Sequence, residues 1–113
     1  MIFSRDNIYH IYNRGNDKQV IFFNDGNYIY FLQKVRKYIV PHCNVLAYVL
    51  MPNHFHFLIH ADERTEILLS DPPIARNVLS EGVRLLLSAY TKGINKQQNR
   101  KFDTAEYEIK MCC

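Results

Sequence analysis

Three side chains in this 113-residue chain are of the right type to act on a phosphodiester: His54, His56 and Tyr90. The two histidines flank Phe55 in the run MPNHFHFLIH, residues 51–60. Side chains alternate along a strand, so a strand here sets His54, His56, Leu58 and His60 on one face and Phe55, Phe57 and Ile59 on the other. The apolar set belongs under a helix layer, which leaves the histidines on an open face. Neutral imidazole is a common metal ligand, and its second nitrogen is usually fixed by an outer partner. Two such ligands leave positions for a phosphate oxygen and for water, which suits Lewis-acid work on a phosphodiester. An isolated His-x-His also arises by chance and then merely faces solvent.

Tyr90 carries two readings. A phenol titrates near pH ~10 and is a poor nucleophile until a metal or cation stabilises the phenolate. At about 100° per residue, Tyr90 also shares a helical face with Val83, Leu86, Leu87 and Ile94, and an aromatic in such a stripe is more often core. Spacing alone leaves both open.

The elements that must position these residues follow from pattern. IYHIYN, residues 8–13, is β-branched and aromatic and reads as a strand. Arg14 and Lys18 lie in the polar loop after it. Asn24 or Asp25 caps a helix to about Ile39, with Tyr28, Phe31, Leu32, Val35 and Ile39 on one face. Pro41 stops it. VLAYVLM, residues 45–51, is a continuous apolar run and reads as a strand covered on both faces. Pro52-Asn53 is a turn, and residues 54–61 form the next strand of an antiparallel hairpin. ADERTEILLSDPP reads as a surface loop, and Pro73 suits the first turn of a second helix over about residues 74–98. Tyr107, Ile109 and Met111 alternate in the tail and point to a fourth strand. The expected fold is α+β: a ferredoxin-like (split βαβ) antiparallel sheet with helices on one face, its last strand lacking or replaced by the tail.

Bulk properties narrow the class. With 48% hydrophobic and 22% charged residues, the chain is an ordinary globular domain, one unit over 1–113. No apolar run approaches the ~20 residues of a membrane span, and the N-terminus lacks a secretion signal, so a cytoplasmic protein is expected. Cys43, Cys112 and Cys113 form no framework and read as reduced thiols. Net charge is only +3, but Arg84, Lys92, Lys96, Arg100 and Lys101 form an acid-free stretch. Such a stripe attracts phosphate, or is simply a solvated helix face.

Three stretches together resemble a known family. They are Tyr9-His10-Ile11-Tyr12-Asn13-Arg14-Gly15, Tyr48-Val49-Leu50-Met51-Pro52-Asn53-His54-Phe55-His56-Phe57-Leu58-Ile59, and Ser88-Ala89-Tyr90-Thr91-Lys92 with Ile94-Asn95-Lys96. They resemble the single-tyrosine HUH transposases: insertion-sequence transposases of that type and the REP-associated tyrosine transposases of bacteria. The likeness covers about residues 7 to 100, and Y-x-L-M-P-N-H-x-H is its specific part. The resemblance implies a nuclease and strand transferase acting on single-stranded or hairpin DNA in transposition. It implies that His54 and His56 hold one divalent ion, Mg²⁺ or Mn²⁺, with Asn95 as the expected third ligand. It implies that Tyr90 attacks the scissile phosphate, giving a 5′-phosphotyrosine and a free 3′-hydroxyl. Arg14, Lys18, Lys92, Lys96 and Arg100 would hold the strand, with exposed tyrosines stacking bases. A homodimer is compatible with the family.

The chain departs from the family in two places. Ile94, one turn after Tyr90, is apolar where some relatives carry a polar ligand. After Asn99-Arg100 the family continues with a Gly-Ser-Leu-Phe-like stretch, a strand and a helix, whereas this chain reads KFDTAEYEIKMCC. Residues from about 101 to 113 are therefore expected to be atypical and truncated. The alternative function is a catalytically inactive DNA-binding relative. A third reading is a metal-dependent hydrolase that uses the histidines without Tyr90; no nearby carboxylate matches a hydrolase triad, although Asp62 and Glu63 are close in sequence.

Overall fold

The computed structural model describes residues 3–13, 20–69, 77–100 and 107–112. The elements are β1 (Ile8–Asn13), α1 (Asp25–Tyr38), a 3-10 turn (Val40–His42), β2 (Asn44–Met51), β3 (His54–His60), α2 (Val78–Gln98) and β4 (Tyr107–Cys112). They build an antiparallel sheet in the order β2-β3-β1-β4. The architecture is α+β and compatible with a ferredoxin-like arrangement, as the pattern predicts. The tail supplies the last strand: Ile109 lies opposite Ile11 and Met111 opposite Tyr9.

Alternation decides which face each strand buries. Tyr9 and Ile11 of β1 and Phe55, Phe57 and Ile59 of β3 are buried under the helices. The helices answer with Phe31 and Val35 of α1 and Val83, Leu86, Leu87, Tyr90 and Ile94 of α2. Phe31 has no exposed surface and sits 5.0–5.9 Å, ring to ring, from Phe55, Phe57 and Tyr90. Asn24 caps α1 by accepting the Asn27 amide at 3.0 Å.

Three expectations are corrected. β2 is not covered on both faces: it is the edge strand, and Leu46, Tyr48, Val49 and Met51 are exposed. A continuous apolar run encodes β-propensity but not the number of neighbours. The second helix starts at Val78, not near Ile74, because Asn77 adopts extended backbone and its side chain accepts the amides of Leu79 and Ser80. Pro73 therefore lies outside its first turn, among residues not described. The loop after β3 is not all surface either. Thr65 is fully buried, donates to the His42 carbonyl at 2.5 Å, and its own carbonyl accepts from the Asn77 side chain.

The two helices approach closely at Gly82, where a Cβ would collide with the backbone carbonyl of Tyr38 at the end of α1. Alanine favours a helix over glycine by about 1 kcal/mol. Here the clash is with backbone that cannot swing away, and overpacking of this kind costs about 1–3 kcal/mol. Gly82→Ala is expected to be a net loss, read as a lower urea midpoint at unchanged slope.

Candidate functional site

The face of the sheet away from the helices carries the histidines. On β3, His54, His56 and His60 are half-buried between fully buried phenylalanines and Ile59. On β1 the same alternation turns His10 and Tyr12 outward. Tyr12 lies directly opposite His56, and His10 lies opposite Leu58. The rings of His10 and Tyr12 are 5.0 and 5.9 Å from that of His56, and His54 stands edge-on to it at 5.0 Å. Val49 of β2 flanks His56 on the other side. His10, Val49 and His56, with Ala47, Leu58 and Cys112, line a shallow depression of about 280 Å³.

Both histidines are held through Nδ1. The Nδ1 of His54 is 2.6 Å from the Asn53 side-chain oxygen, and that of His56 is 2.8 Å from the Nε2 of His10. In the tautomers where each Nδ1 donates, each Nε2 keeps its lone pair, without a hydrogen-bond partner among the described residues. Burial, and then the neighbouring imidazoles of His10 and His54, hold His56 below the usual histidine range. A neutral imidazole with its second nitrogen engaged is the state a metal requires. The residues therefore fit a divalent ion as a two-histidine site. Among the described residues no group of three or more His, Cys, Asp or Glu could hold one.

Tyr90 is not at this site. It is 2% exposed, in the helix-side core, 5.0–6.0 Å ring to ring from Phe22, Tyr30 and Phe31. Its hydroxyl donates to the Ile21 carbonyl at 2.5 Å. Ile21 and Phe22 in turn donate their amides to the Pro52 carbonyl, in the turn before His54, at 2.7 and 3.1 Å. Burial pushes the phenol far above its usual range. The sheet and Phe31 stand between Tyr90 and the histidines, so the expected nucleophile and the expected ligands are not brought together. The helical stripe that Tyr90 shares with Val83, Leu86, Leu87 and Ile94 is what places it.

Asn95 is on the same helix, on the far side of the sheet from His54 and His56, and does not join them. Lys92 and Lys96 are exposed on the outer side of α2. Arg100 is drawn inward: it donates to the Val20 carbonyl at 2.9 Å and lies over the Phe23 ring at 4.9 Å. It ties the end of α2 to the segment before α1. Arg14 and Lys18 lie outside the described residues. Asp62 is engaged by Arg64 at 2.7 Å, which holds its carboxyl below the usual range. It lies past the far end of β3, where His56 to His60 alone spans about 13 Å, so it cannot complete a hydrolase site.

Two open-face residues escape a reading of single motifs: His10 and Tyr12. The Tyr12 hydroxyl donates to Glu108 of β4, and that bond is the main cause of its raised pKa. Lys110 stands 5.9 Å from the Tyr12 ring. Alternation in IYHIYN turns both outward, but only the register of β1 on β3 brings them to His56.

The buried Tyr90 hydroxyl makes a pH prediction. Its folded pKa is raised, so the stability it contributes is present below the unfolded value of about 10 and is lost as pH rises above it. Absorbance titration should show a class of tyrosine, Tyr90 among it, that ionises only as the chain unfolds in alkali. Tyr90→Phe should take one residue from that class and cost about 1–2 kcal/mol by leaving the Ile21 carbonyl without the phenol. A tyrosine complement that titrates together in the folded chain would contradict the placement.

Set against known proteins, the chain matches no family model, and no curated protein matches it.

Proposed function

We propose that the chain is a single-stranded DNA- and metal-binding domain of the HUH transposase type, working in the cytoplasm on DNA mobilisation, and a nuclease and strand transferase where a tyrosine reaches the histidine face. One observation carries the reading: His54 and His56 stand side by side on an open sheet face, each engaged through Nδ1 and each with Nε2 left for a ligand. Mg²⁺ or Mn²⁺ held there would polarise the scissile phosphate and stabilise the leaving oxygen. His54 and His56 orient the phosphate, Tyr12 and the depression beside His56 offer surface for an unpaired base, and Lys110 offers a cation for the backbone. No helix among the described residues is long and apolar enough to cross a membrane. A second copy of the chain is a fitting partner for the outer edge of β2, which has no neighbouring strand among the described residues and exposes Leu46, Tyr48, Val49 and Met51.

The nucleophile separates two versions of this reading. In the first, α2 shifts and Tyr90 reaches the phosphate, giving a 5′-phosphotyrosine. In the second, the chain binds DNA and a metal without Tyr90 chemistry. The burial of Tyr90 and its bond to Ile21 favour the second.

The deciding experiment incubates the chain with Mn²⁺ and labelled single-stranded hairpin oligonucleotides, runs a denaturing gel and maps any adduct by peptide mass. An adduct on Tyr90, lost in Tyr90→Phe and in His56→Ala, establishes the first version. An adduct on Tyr12 keeps the transferase but moves the nucleophile to the open face. Salt-sensitive binding with no adduct establishes the second version, and no DNA binding at any salt rejects the reading.

The binding face is tested separately. If the strand crosses the open face, Lys110→Ala should weaken oligonucleotide binding and lower the salt slope by about 0.7. Lys92→Ala with Lys96→Ala should then change affinity by less than about twofold, within ordinary surface effects. The reverse result would put the strand on α2.

A further inference from the structure

We propose that His10 is the positioning residue of the histidine site: its Nε2 accepts the Nδ1–H of His56 and holds that ring with Nε2 toward the open face. The use of this arrangement rests on the metal reading above; its geometry does not. The two nitrogens are 2.8 Å apart, and the rings are inclined by only 20°. Register explains the reach. His10 pairs with Leu58, so His56 is its diagonal neighbour across the strands, within range of an imidazole.

The two histidines of the pair solve one problem differently. His54 takes its Nδ1 partner from the adjacent residue, Asn53. His56 is flanked in sequence by Phe55 and Phe57, and its other open-face neighbours Val49 and Leu58 are apolar. The Tyr12 hydroxyl, directly opposite, is given to Glu108. The partner for His56 therefore comes from β1. In a neutral pair one ring donates and the other accepts. With His56 donating from Nδ1, its outward Nε2 can ligate. With the roles reversed, the His56 proton sits on Nε2 and the ligand is lost. The nitrogen of His10 that faces His56 points at that ring, so His10 cannot use it to bind the same ion.

The test uses the full chain, first without metal. Long-range ¹⁵N–¹H spectra of the imidazoles report the tautomer of His56 in wild type, His10→Leu and His10→Gln, and EPR of unbound Mn²⁺ gives the affinity of each. Circular dichroism with urea unfolding confirms that both variants fold. Wild type should show His56 protonated on Nδ1. His10→Leu should mix the tautomers and weaken Mn²⁺ binding about 10–100-fold, the range for loss of an outer partner. His10→Gln places Oε1 where Nε2 stood and should restore the tautomer and most of the affinity. His56 protonated on Nε2 in wild type, or a tautomer unmoved in His10→Leu, overturns the proposal. So does a His10→Gln variant with the right tautomer and an affinity as low as His10→Leu, since His10 would then be a ligand itself. A wild type that shows the Nδ1–H tautomer, loses it in His10→Leu and binds no Mn²⁺ upholds the His10 role and removes the metal reading instead.

Discussion

Phe31 is the contact through which both helices reach the sheet. Its ring meets Phe55 and Phe57 of β3 on one side and Phe22 and Tyr90 on the other. Truncating a fully buried phenylalanine costs about 3–5 kcal/mol, a large share of the ~5–15 kcal/mol that holds a domain of this kind together. The cluster therefore dictates which faces are available for anything else. β3 must turn its phenylalanines toward Phe31, and two-residue alternation then obliges His54 and His56 to face away. α2 must turn its stripe toward Phe31, and Tyr90 goes with it.

One packing requirement thus produces the open histidine face and removes the phenol from it. The histidines share their face with His10 and Tyr12, because β1 is bound to β3 in register and alternates in the same way. The resulting site sets imidazoles and a phenol beside the apolar Val49 and Leu58, half-buried and shallow, on the open face of the sheet. Such a surface is too shallow to enclose a small molecule.

Much of this is legible in the amino-acid sequence. The alternation of IYHIYN and HFHFLIH, the Asn24 cap and the Phe31-Val35 spacing are local signals, and β1, α1 and β3 follow them closely. The placement of Tyr90 is only half legible: its helical stripe is compatible with the core, but spacing alone does not choose between core and nucleophile, and the family resemblance points to the nucleophile. The start of α2 is not legible, because the capping role of Asn77 depends on a carbonyl of Thr65 supplied by a distant loop. The exposure of β2 is not, because strand order is a property of the whole sheet. His10 was in view as a residue of the first strand, but its meeting with His56 is a matter of register between strands far apart in sequence.

The path from Tyr90 to the Ile21 carbonyl, and from the Ile21 and Phe22 amides to the Pro52 carbonyl, crosses from the helix layer to the turn that carries His54. It is a strut. The sheet separates the two faces sterically, yet the strut joins them energetically, and coupling of this sort is reciprocal. A load that pulls on this turn would be felt as a weaker seat for α2. Loosening α2 would in turn give the turn more freedom. Tyr90 is in this way tied to the turn before His54 without touching the histidines.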